Sequence, residues 1–265
     1  MQNFLLSLLA LAAIVPQADA ADKEGGADTP GETKRVRWAT LPPVRQNTYR
    51  ISRMNDNPTI DADWNKTAWK NVTPITLEYY MGKEPEHQPK AQAKAAYDDH
   101  SIYIIWKVED NFVLAKRTKN QQDIWRDSCV EFFFTPCSDP KELGYFNLET
   151  NCCGAKLFGT HFSEGDDYKF TAEDFAAIVT ANSLKGPIDT EIVNPTVWTL
   201  EYKIPFSVLE KAAKVEHPAP GVKWRCNFYK CADDASHPHW LTWSPVTHAE
   251  PSFHRPNDFG ILAFE

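Results

Sequence analysis

The stretch Asp123–Phe134 (DIWRDSCVEFFF) decides the fold, because it begins as a polar loop and becomes a strand at Cys129. From Cys129 onward the side chains alternate between two faces. Val130, Phe132 and Phe134 fall on the first face, which we expect to lie in the core. Cys129, Glu131 and Phe133 fall on the second, where a carboxylate lies between less polar neighbours.

Trp125 stands where this strand begins, and its position allows two interpretations. A tryptophan at the start of a strand usually packs into its own loop. Alternatively, its ring forms a flat aromatic wall beside the carboxylate of Glu131. Sugars need that combination, since they present an apolar ring face for stacking and hydroxyl groups for hydrogen bonding. The sequence leaves both interpretations open.

The rest of the chain continues as short alternating segments separated by turn residues. Strands are predicted at 45–52, 75–80, 91–97, 102–108, 144–151, 157–162, 175–181, 197–204, 224–231, 240–243 and 259–264. Short helical segments are predicted at 60–69 and 206–213, the second beginning after Pro205. Many short strands, few helices and no strand–helix–strand rhythm predict an all-β fold. We expect a β-sandwich of two antiparallel sheets with one or two short helices.

The N-terminal residues read as a targeting segment. An apolar run from Phe4 to Val15 precedes Ala18-Asp19-Ala20, so residues 1–20 are predicted to be a signal peptide. The run is too short to span a membrane. Residues 21–45 are predicted to be a flexible leader, and 46–265 one β-sandwich domain. The expected location is therefore secreted or periplasmic.

The charge balance bears on the class of partner. The formal net charge is −8, with 36 acidic residues and 28 lysines and arginines that form no cluster. This argues against nucleic acid and anionic membranes as partners. Neutral small molecules and polysaccharides remain possible partners.

Six cysteines would meet an oxidising compartment if the signal peptide functions. None has the CxxC or Cys/His spacing of a zinc site. Cys152 and Cys153 are adjacent and cannot easily bond to each other. Cys129 and Cys231 lie on predicted strands whose polar faces could meet, which makes a disulfide between them a prediction.

Catalytic motifs are absent from the sequence: it has no nucleophile elbow, HExxH, P-loop or dinucleotide fingerprint. Glu131 and Glu149 on neighbouring strands could act as a glycosidase pair. The histidines near the C-terminus are a candidate metal cluster, comprising His237, His239, His248 and His254.

Several segments in order resemble family 9 carbohydrate-binding modules. They are 60–69 (IDADWNKTAW), 127–133 (DSCVEFF), 227–231 (NFYKC), 239–245 (HWLTWSP) and 253–260 (FHRPNDFG). The resemblance extends from about Arg50 to Glu265 and is greatest for the single-domain branch of the family. It implies a β-sandwich that binds sugar without chemistry, so we do not expect an enzyme.

The resemblance also implies site residues. Two aromatic side chains would clamp a terminal sugar unit, and they correspond here to Trp125 and Phe253, the latter standing where the family has Trp. Glu131 would hydrogen-bond the sugar edge, Asn147 takes the place of a family Arg, and His254 lies beside the second wall. Structural calcium is implied too, without identifiable ligands.

The expected partner is a cellulose- or xylan-type carbohydrate, along with glycoside hydrolases acting on the same polysaccharide, to which modules of this family are often attached. Related sandwiches hold a b-type haem through Met and His, so an electron-transfer domain is an alternative. After residue 20 only Met54 and Met81 could serve, and neither lies in a recognisable ligand motif.

The apolar run and the Ala18-Asp19-Ala20 sequence predict cleavage after Ala20. N-terminal sequencing of exported protein should therefore begin at Ala21. An exported chain that still begins with Met1 would contradict the prediction.

Overall fold

The computed structural model describes residues 46–54, 57–162, 165–248 and 250–265. The predicted signal peptide (1–20) and leader (21–45) lie outside these residues. The described strands are, in chain order, β1 (Thr48–Arg53), β2 (Ile75–Thr76), β3 (Tyr79–Tyr80), β4 (Lys90–Tyr97), β5 (Ser101–Ala115), β6 (Cys129–Thr135), β7 (Gly144–Asn151), β8 (Lys156–Phe162), β9 (Val179–Asn182), β10 (Ile188–Pro205), β11 (Lys223–Cys231), β12 (Trp240–Thr242) and β13 (Gly260–Phe264).

Helical structure is sparse in the described residues. The described ranges contain three short α-helices: α1 (Pro140–Leu143), α2 (Ala172–Ala177) and α3 (Phe206–Leu209). Single 3₁₀ turns occur at Thr67–Trp69, Ile124–Arg126 and Pro256–Asp258. None of the described helices has the length and apolar character needed to cross a bilayer.

The strands form two sheets that share β1. The first sheet runs β8-β7-β6-β11-β13-β1, with β12 beside β11 and β3 beside β12. The second runs β1-β4-β5-β10-β9, with β2 beside β4. All pairings are antiparallel except those of β1, which runs parallel to both β13 and β4. The predicted all-β sandwich is confirmed, and β1 is the element that joins its two antiparallel sheets.

The core lies between the sheets and follows the alternation predicted for β6. Its fully buried side chains include Val130, Phe132, Phe134, Phe146, Leu148, Trp224, Phe228, Ile104, Trp106, Trp198 and Leu200. The Phe132 and Phe134 rings stack with centroids 4.6 Å apart, and Phe228 lies 5.0 Å from Phe132. Each such side chain contributes about 1.5–3 kcal/mol by leaving water.

Several segments differ from the sequence prediction. The strand predicted at 175–181 is instead α2 followed by β9, because the Thr171 and Asp174 side chains form a reciprocal capping box that starts a helix. β5 and β10 extend past their predicted ends as one antiparallel ribbon, on which Val193 and Val197 are exposed. The helix predicted at 206–213 ends at Leu209.

The segment predicted as a helical turn at 60–69 covers the outer face of the second sheet. Its Trp69 is fully buried against Tyr103 and Ile105. Glu201 of β10, also fully buried, holds the segment in place. The Glu201 carboxylate accepts hydrogen bonds from the backbone amides of Asp61 and Ala62, from Lys66 Nζ and from Trp69 Nε1, at 2.7–2.9 Å.

Glu201→Ala should lower the free energy of unfolding by roughly 3 kcal/mol or more, because it leaves these buried donors without an acceptor. Urea denaturation followed by circular dichroism measures the change. Glu265→Ala is the control, since Glu265 pairs with Arg50 on the exposed surface, and it should cost under about 1 kcal/mol. Equal losses in the two variants would contradict the role given to Glu201.

Candidate functional site

The second face of β6 is buried as well, although it points away from the sandwich core. All seven residues of β6 and all eight of β7 are buried. Two loops, one at 116–128 and one comprising 243–248 and 250–259, cover this outer face. Ile124 comes from the first loop, while Phe253 and Phe259 come from the second, and they pack with Phe133 and Tyr145 in a separate apolar cluster.

Asp127 anchors the first loop. Its fully buried carboxylate accepts hydrogen bonds from the backbone amides of Lys116 and Arg117, from the Arg117 guanidinium and from Asn151 Nδ2, at 2.9–3.1 Å. Arg117 also donates to Asp234 at 2.7 Å. The loop is therefore tied to both β7 and the segment after β11.

Trp125 is displayed by a 3₁₀ turn within this loop. The preceding Ile124 is fully buried, whereas Trp125 itself is 37% exposed. The following Arg126 binds Asp234 through its side chain at 2.9 Å, and its backbone carbonyl accepts a hydrogen bond from the Asp234 amide. Trp125 is therefore not packed fully into its loop. About a third of its surface is exposed on a restrained backbone, and the Arg126 guanidinium lies over the ring 5.6 Å from its centroid.

Two adjoining cavities flank Trp125. The first, which we call the cleft, has a volume of about 240 Å³ and is lined by Trp125, Glu131, Phe133, Glu149, Cys231, Asp233, Trp240, Pro251, Ser252, Phe253 and His254. The second, which we call the groove, has a volume of about 580 Å³ and runs over β7 and β8. Both are lined by Trp125, Glu149 and His254.

Phe253 reaches the cleft, but its ring is less available than the sequence suggested. It is only 7% exposed, and one face stacks on Tyr229 with centroids 4.1 Å apart and planes inclined by 8°. Phe253 therefore belongs to the outer apolar cluster, and Tyr229 covers one face of the ring that the resemblance implied as a wall. Trp240, which is half-buried, adds an aromatic side chain to the cleft lining, and its Nε1 donates to Asp233 at 2.9 Å.

Glu131 and Glu149 lie opposite each other on β6 and β7, as the sequence suggested. They are 1% and 4% exposed. Burial raises the pKa of Glu149 to about 7, and it raises the pKa of Glu131 well above its usual range, reinforced by Cys231 and Glu149. Both carboxyl groups therefore hold their protons more tightly than exposed glutamates do.

Asn147 and Glu149 carry buried polar atoms that find no hydrogen-bonding partner in the described part of the chain. The Asn147 amide donates to Glu149 Oε1 at 3.1 Å, but Asn147 Oδ1 and Glu149 Oε2 remain unpaired. Both residues line the groove, and Glu149 lines the cleft too. An unpaired buried polar atom costs about 1–3 kcal/mol, so a hydrogen-bonding partner from solution would stabilise these atoms.

His254 lies between the two cavities. Its Nδ1 is 2.8 Å from the Tyr145 hydroxyl, and its ring packs 4.8 Å from that of His161. Trp125, Glu131, Asn147, Phe253 and His254 are thus gathered around two adjoining cavities, although only Trp125 offers a large exposed ring.

The C-terminal histidines are not gathered into a metal cluster. His239 Nε2 lies 2.7 Å from the buried Lys230 Nζ, the His237 ring stacks on Phe112, and His248 interacts with the Glu250 carbonyl. Within the described ranges, one group of three such ligands lies close together, namely Cys129, Glu131 and Cys231. Calcium takes oxygen ligands, so this pair of thiols does not fit the structural calcium that the resemblance implied.

All six cysteines are thiols. Cys129 and Cys231 lie directly opposite each other on β6 and β11, so the prediction paired the right strands. The predicted disulfide between them is nevertheless absent. The Cys231 thiol instead donates to Glu131 Oε1 at 3.0 Å.

The sequence-based prediction missed Trp240 and Asp233 as cleft residues. Trp240 stands in a motif quoted for the resemblance, but no spacing related it to Trp125. Asp233 follows the end of β11 by two residues, and burial raises the pKa of its carboxyl group to about 6. The available signal was the clustering of polar residues immediately after a buried strand.

Residues 35–264 match the model of carbohydrate-binding family 9. The match begins within the predicted leader. No curated protein is significantly similar to the chain.

Three solved structures are similar. A Bacteroides uniformis protein, proposed to bind carbohydrate, is 26% identical with a TM-score of 0.74, covering 83% of this chain and 100% of its own. A family 9 module from Caldicellulosiruptor kristjanssonii is 17% identical with a TM-score of 0.55 in its cellotriose complex, covering 83% of this chain and 94% of its own. Its glucose complex gives the same identity and score, with coverages of 82% and 96%. At 17% identity the likeness establishes the fold.

Replacing Glu149 by Gln should change how stability depends on pH. Because the pKa of Glu149 is raised in the folded state, the parent loses stability as pH rises from about 4.5 to about 7. The Gln variant has no such proton to lose. The difference in free energy of unfolding, variant minus parent, should therefore be about 2–3 kcal/mol larger at pH 8 than at pH 5. Urea denaturation at each pH, with EDTA present, measures this difference. The exposed Glu84→Gln is the control, and a pH-independent difference for Glu149→Gln would contradict the prediction.

Proposed function

Because the chain belongs to carbohydrate-binding family 9, we propose that it is a non-catalytic protein that binds a sugar unit in the cleft and groove beside Trp125. One observation carries the proposal. An exposed aromatic ring stands on a restrained turn next to two buried polar atoms, Asn147 Oδ1 and Glu149 Oε2, that find no hydrogen-bonding partner among the described residues.

A pyranose ring complements this arrangement. Its faces carry C–H groups that stack on an aromatic ring, and its edge carries hydroxyls that both donate and accept hydrogen bonds. The face of Trp125 would take the ring, while Asn147, Glu149 and Glu131 would meet the edge. A protonated glutamate can donate as well as accept, so the raised pKa values of Glu131 and Glu149 suit a neutral ligand rich in hydroxyls.

The aromatic surface should supply most of the affinity. A hydrogen bond exchanged for one with water contributes only about 0.5–1.5 kcal/mol. One face of the Phe253 ring is covered by Tyr229. The second wall would therefore be formed jointly by the remaining surface of Phe253 and by Trp240, which both line the cleft. The proposed site therefore consists of the exposed ring of Trp125 on one side and a wall made of Phe253 and Trp240 on the other, rather than two single rings.

The ligand class we propose is a cellulose- or xylan-type oligosaccharide or chain end. The C. kristjanssonii module of the same fold was solved with cellotriose and with glucose. With the predicted export, such a protein would act outside the cytoplasm and assist carbohydrate catabolism alongside glycoside hydrolases acting on the same polysaccharide.

The arrangement gives less support to the two alternatives. A glycosidase needs one carboxyl group that stays ionised beside another that stays protonated. Burial instead raises the pKa of both Glu131 and Glu149 above the ordinary range. Haem binding through Met and His also has little support. Met54 and Met81 are buried in apolar clusters on different sheets, and neither lines the cleft or the groove.

Trp125→Ala should weaken binding of cello- or xylo-oligosaccharides by about 2 kcal/mol or more, roughly 30-fold in Kd, since a central aromatic contact is lost. Trp240→Ala should weaken binding less. Isothermal titration calorimetry on the mature domain measures both. Circular dichroism should show an intact fold for Trp125→Ala.

The control is Tyr79→Ala, because Tyr79 is 41% exposed and lies outside the cleft and groove linings. It should bind like the parent. Phe253→Ala should also lower the unfolding midpoint, because its ring belongs to the outer apolar cluster. Unchanged affinity in Trp125→Ala would contradict the proposed site, and turnover of chromogenic glycosides would contradict the non-catalytic assignment.

A further inference from the structure

Cys129, Glu131 and Cys231 form a cluster beneath the cleft. Cys129 and Glu131 are two residues apart on β6 and so share its outer face. Cys231 lies directly opposite Cys129 on β11. The two thiol sulfurs and one carboxylate oxygen all lie within 4.8 Å of one another, and all three residues are buried. The register of two strands joined by a long stretch of chain thus produces a set of potential ligands that no local motif contains.

The spacing of these atoms suits a small tetrahedral ion. Zinc binds thiolate sulfur at about 2.3 Å and carboxylate oxygen at about 2.0–2.2 Å, which places neighbouring tetrahedral ligands roughly 3.5–3.8 Å apart. The three atoms lie within 4.8 Å of one another, and the Cys231 sulfur lies 3.0 Å from Glu131 Oε1, so side-chain shifts of about an ångström or less would bring them to these separations around an ion. Glu131 and Cys231 line the cleft, so a fourth coordination position would face that cavity.

The charges around the cluster also favour a cation. No lysine or arginine in the described ranges forms an ion pair with Glu131, whose Oε1 accepts instead from the Cys231 thiol. Glu149 lies opposite Glu131, and Asp233 lines the same cleft. A buried carboxylate without a positive partner is costly, and a bound divalent cation would supply the missing charge.

We propose that Cys129, Glu131 and Cys231 bind a thiophilic divalent cation of the zinc class, with water or a ligand from the cleft in the fourth position. The two thiols and, where it is protonated, the carboxyl group release their protons to solvent as the metal binds. Two sulfur ligands select such an ion over calcium or magnesium, which prefer oxygen. The proposal stands on these three residues alone and does not depend on sugar binding.

Metal binding and a Cys129–Cys231 disulfide exclude each other, because a disulfide sulfur is not a thiolate ligand. The first experiment therefore uses the mature domain purified with a reductant and freed of metal by chelation. Zinc should bind with one ion per chain, measured by mass spectrometry of the native protein and by competition with a chromophoric chelator. Cobalt(II) should give sulfur-to-metal charge-transfer absorption, and a large excess of calcium should not displace either ion.

Cys129→Ser and Cys231→Ser should each weaken zinc binding at least about 100-fold, since each removes a direct ligand. Glu131→Gln should weaken it as well while leaving both thiols in place. The matched control is Cys137→Ser, which changes a cysteine outside the cluster and should bind zinc like the parent. Circular dichroism on every variant separates loss of the site from loss of the fold.

X-ray absorption on the zinc-loaded parent gives a readout that needs no variant. We expect two sulfurs at about 2.3 Å together with oxygen at about 2.0–2.2 Å. A shell of oxygen and nitrogen alone would overturn the proposal, as would zinc affinity unchanged in both serine variants. So would the absence of binding by the reduced protein, or a Cys129–Cys231 disulfide found by peptide mapping of protein purified without a reductant.

Discussion

The burial of both faces of β6 is the constraint on which the rest of this structure depends. One face carries Val130, Phe132 and Phe134 into the core between the sheets. The other carries Cys129, Glu131 and Phe133, which would meet water if the sandwich ended there. Two loops cover that second face, and the incomplete cover leaves a cleft to which the buried strand β6 contributes Glu131 and Phe133. The candidate site is thus a consequence of how a central strand is enclosed.

The covering loop is held by charges rather than by apolar packing alone. Asp127 gathers the amides of residues 116 and 117, and Asp234 links Arg117 with Arg126. These contacts fix the backbone on both sides of Trp125, whose ring is 37% exposed and has the Arg126 guanidinium 5.6 Å from its centroid. A binding surface that is ordered before its ligand arrives loses less conformational entropy when the ligand binds.

Features that depend on local pattern could be predicted from sequence. The alternation of β6 gave its core face correctly, whereas the position of Trp125 before the strand left open whether its ring packs into the loop or faces outward. The start of α2 was predictable in principle, because Thr171 and Asp174 have the spacing of a capping box. The composition of the segment nevertheless favoured a strand, so this signal was missed. The resemblance of ordered segments was sufficient to identify the family.

Features that depend on register between distant strands could not be derived in the same way. The stacking of Phe253 on Tyr229 requires the second loop to fold back over β11, and nothing in the local sequence specifies that path. The approach of Cys231 to Glu131 likewise depends on the pairing of β6 with β11. Trp240 joins the cleft only because β12 lies beside β11. In each case long-range geometry determines which side chains meet.

The position of β1 has a consequence for how the chain folds. Thr48 pairs with Ile261 and Ser52 with Ala96, so β1, the first described strand, pairs with β13, the last described strand. Closing so long a loop costs entropy before any contact rewards it, and it slows folding. The seam between the two sheets stays open until residues 260–264 pair with β1, so this pairing is expected to form late in folding.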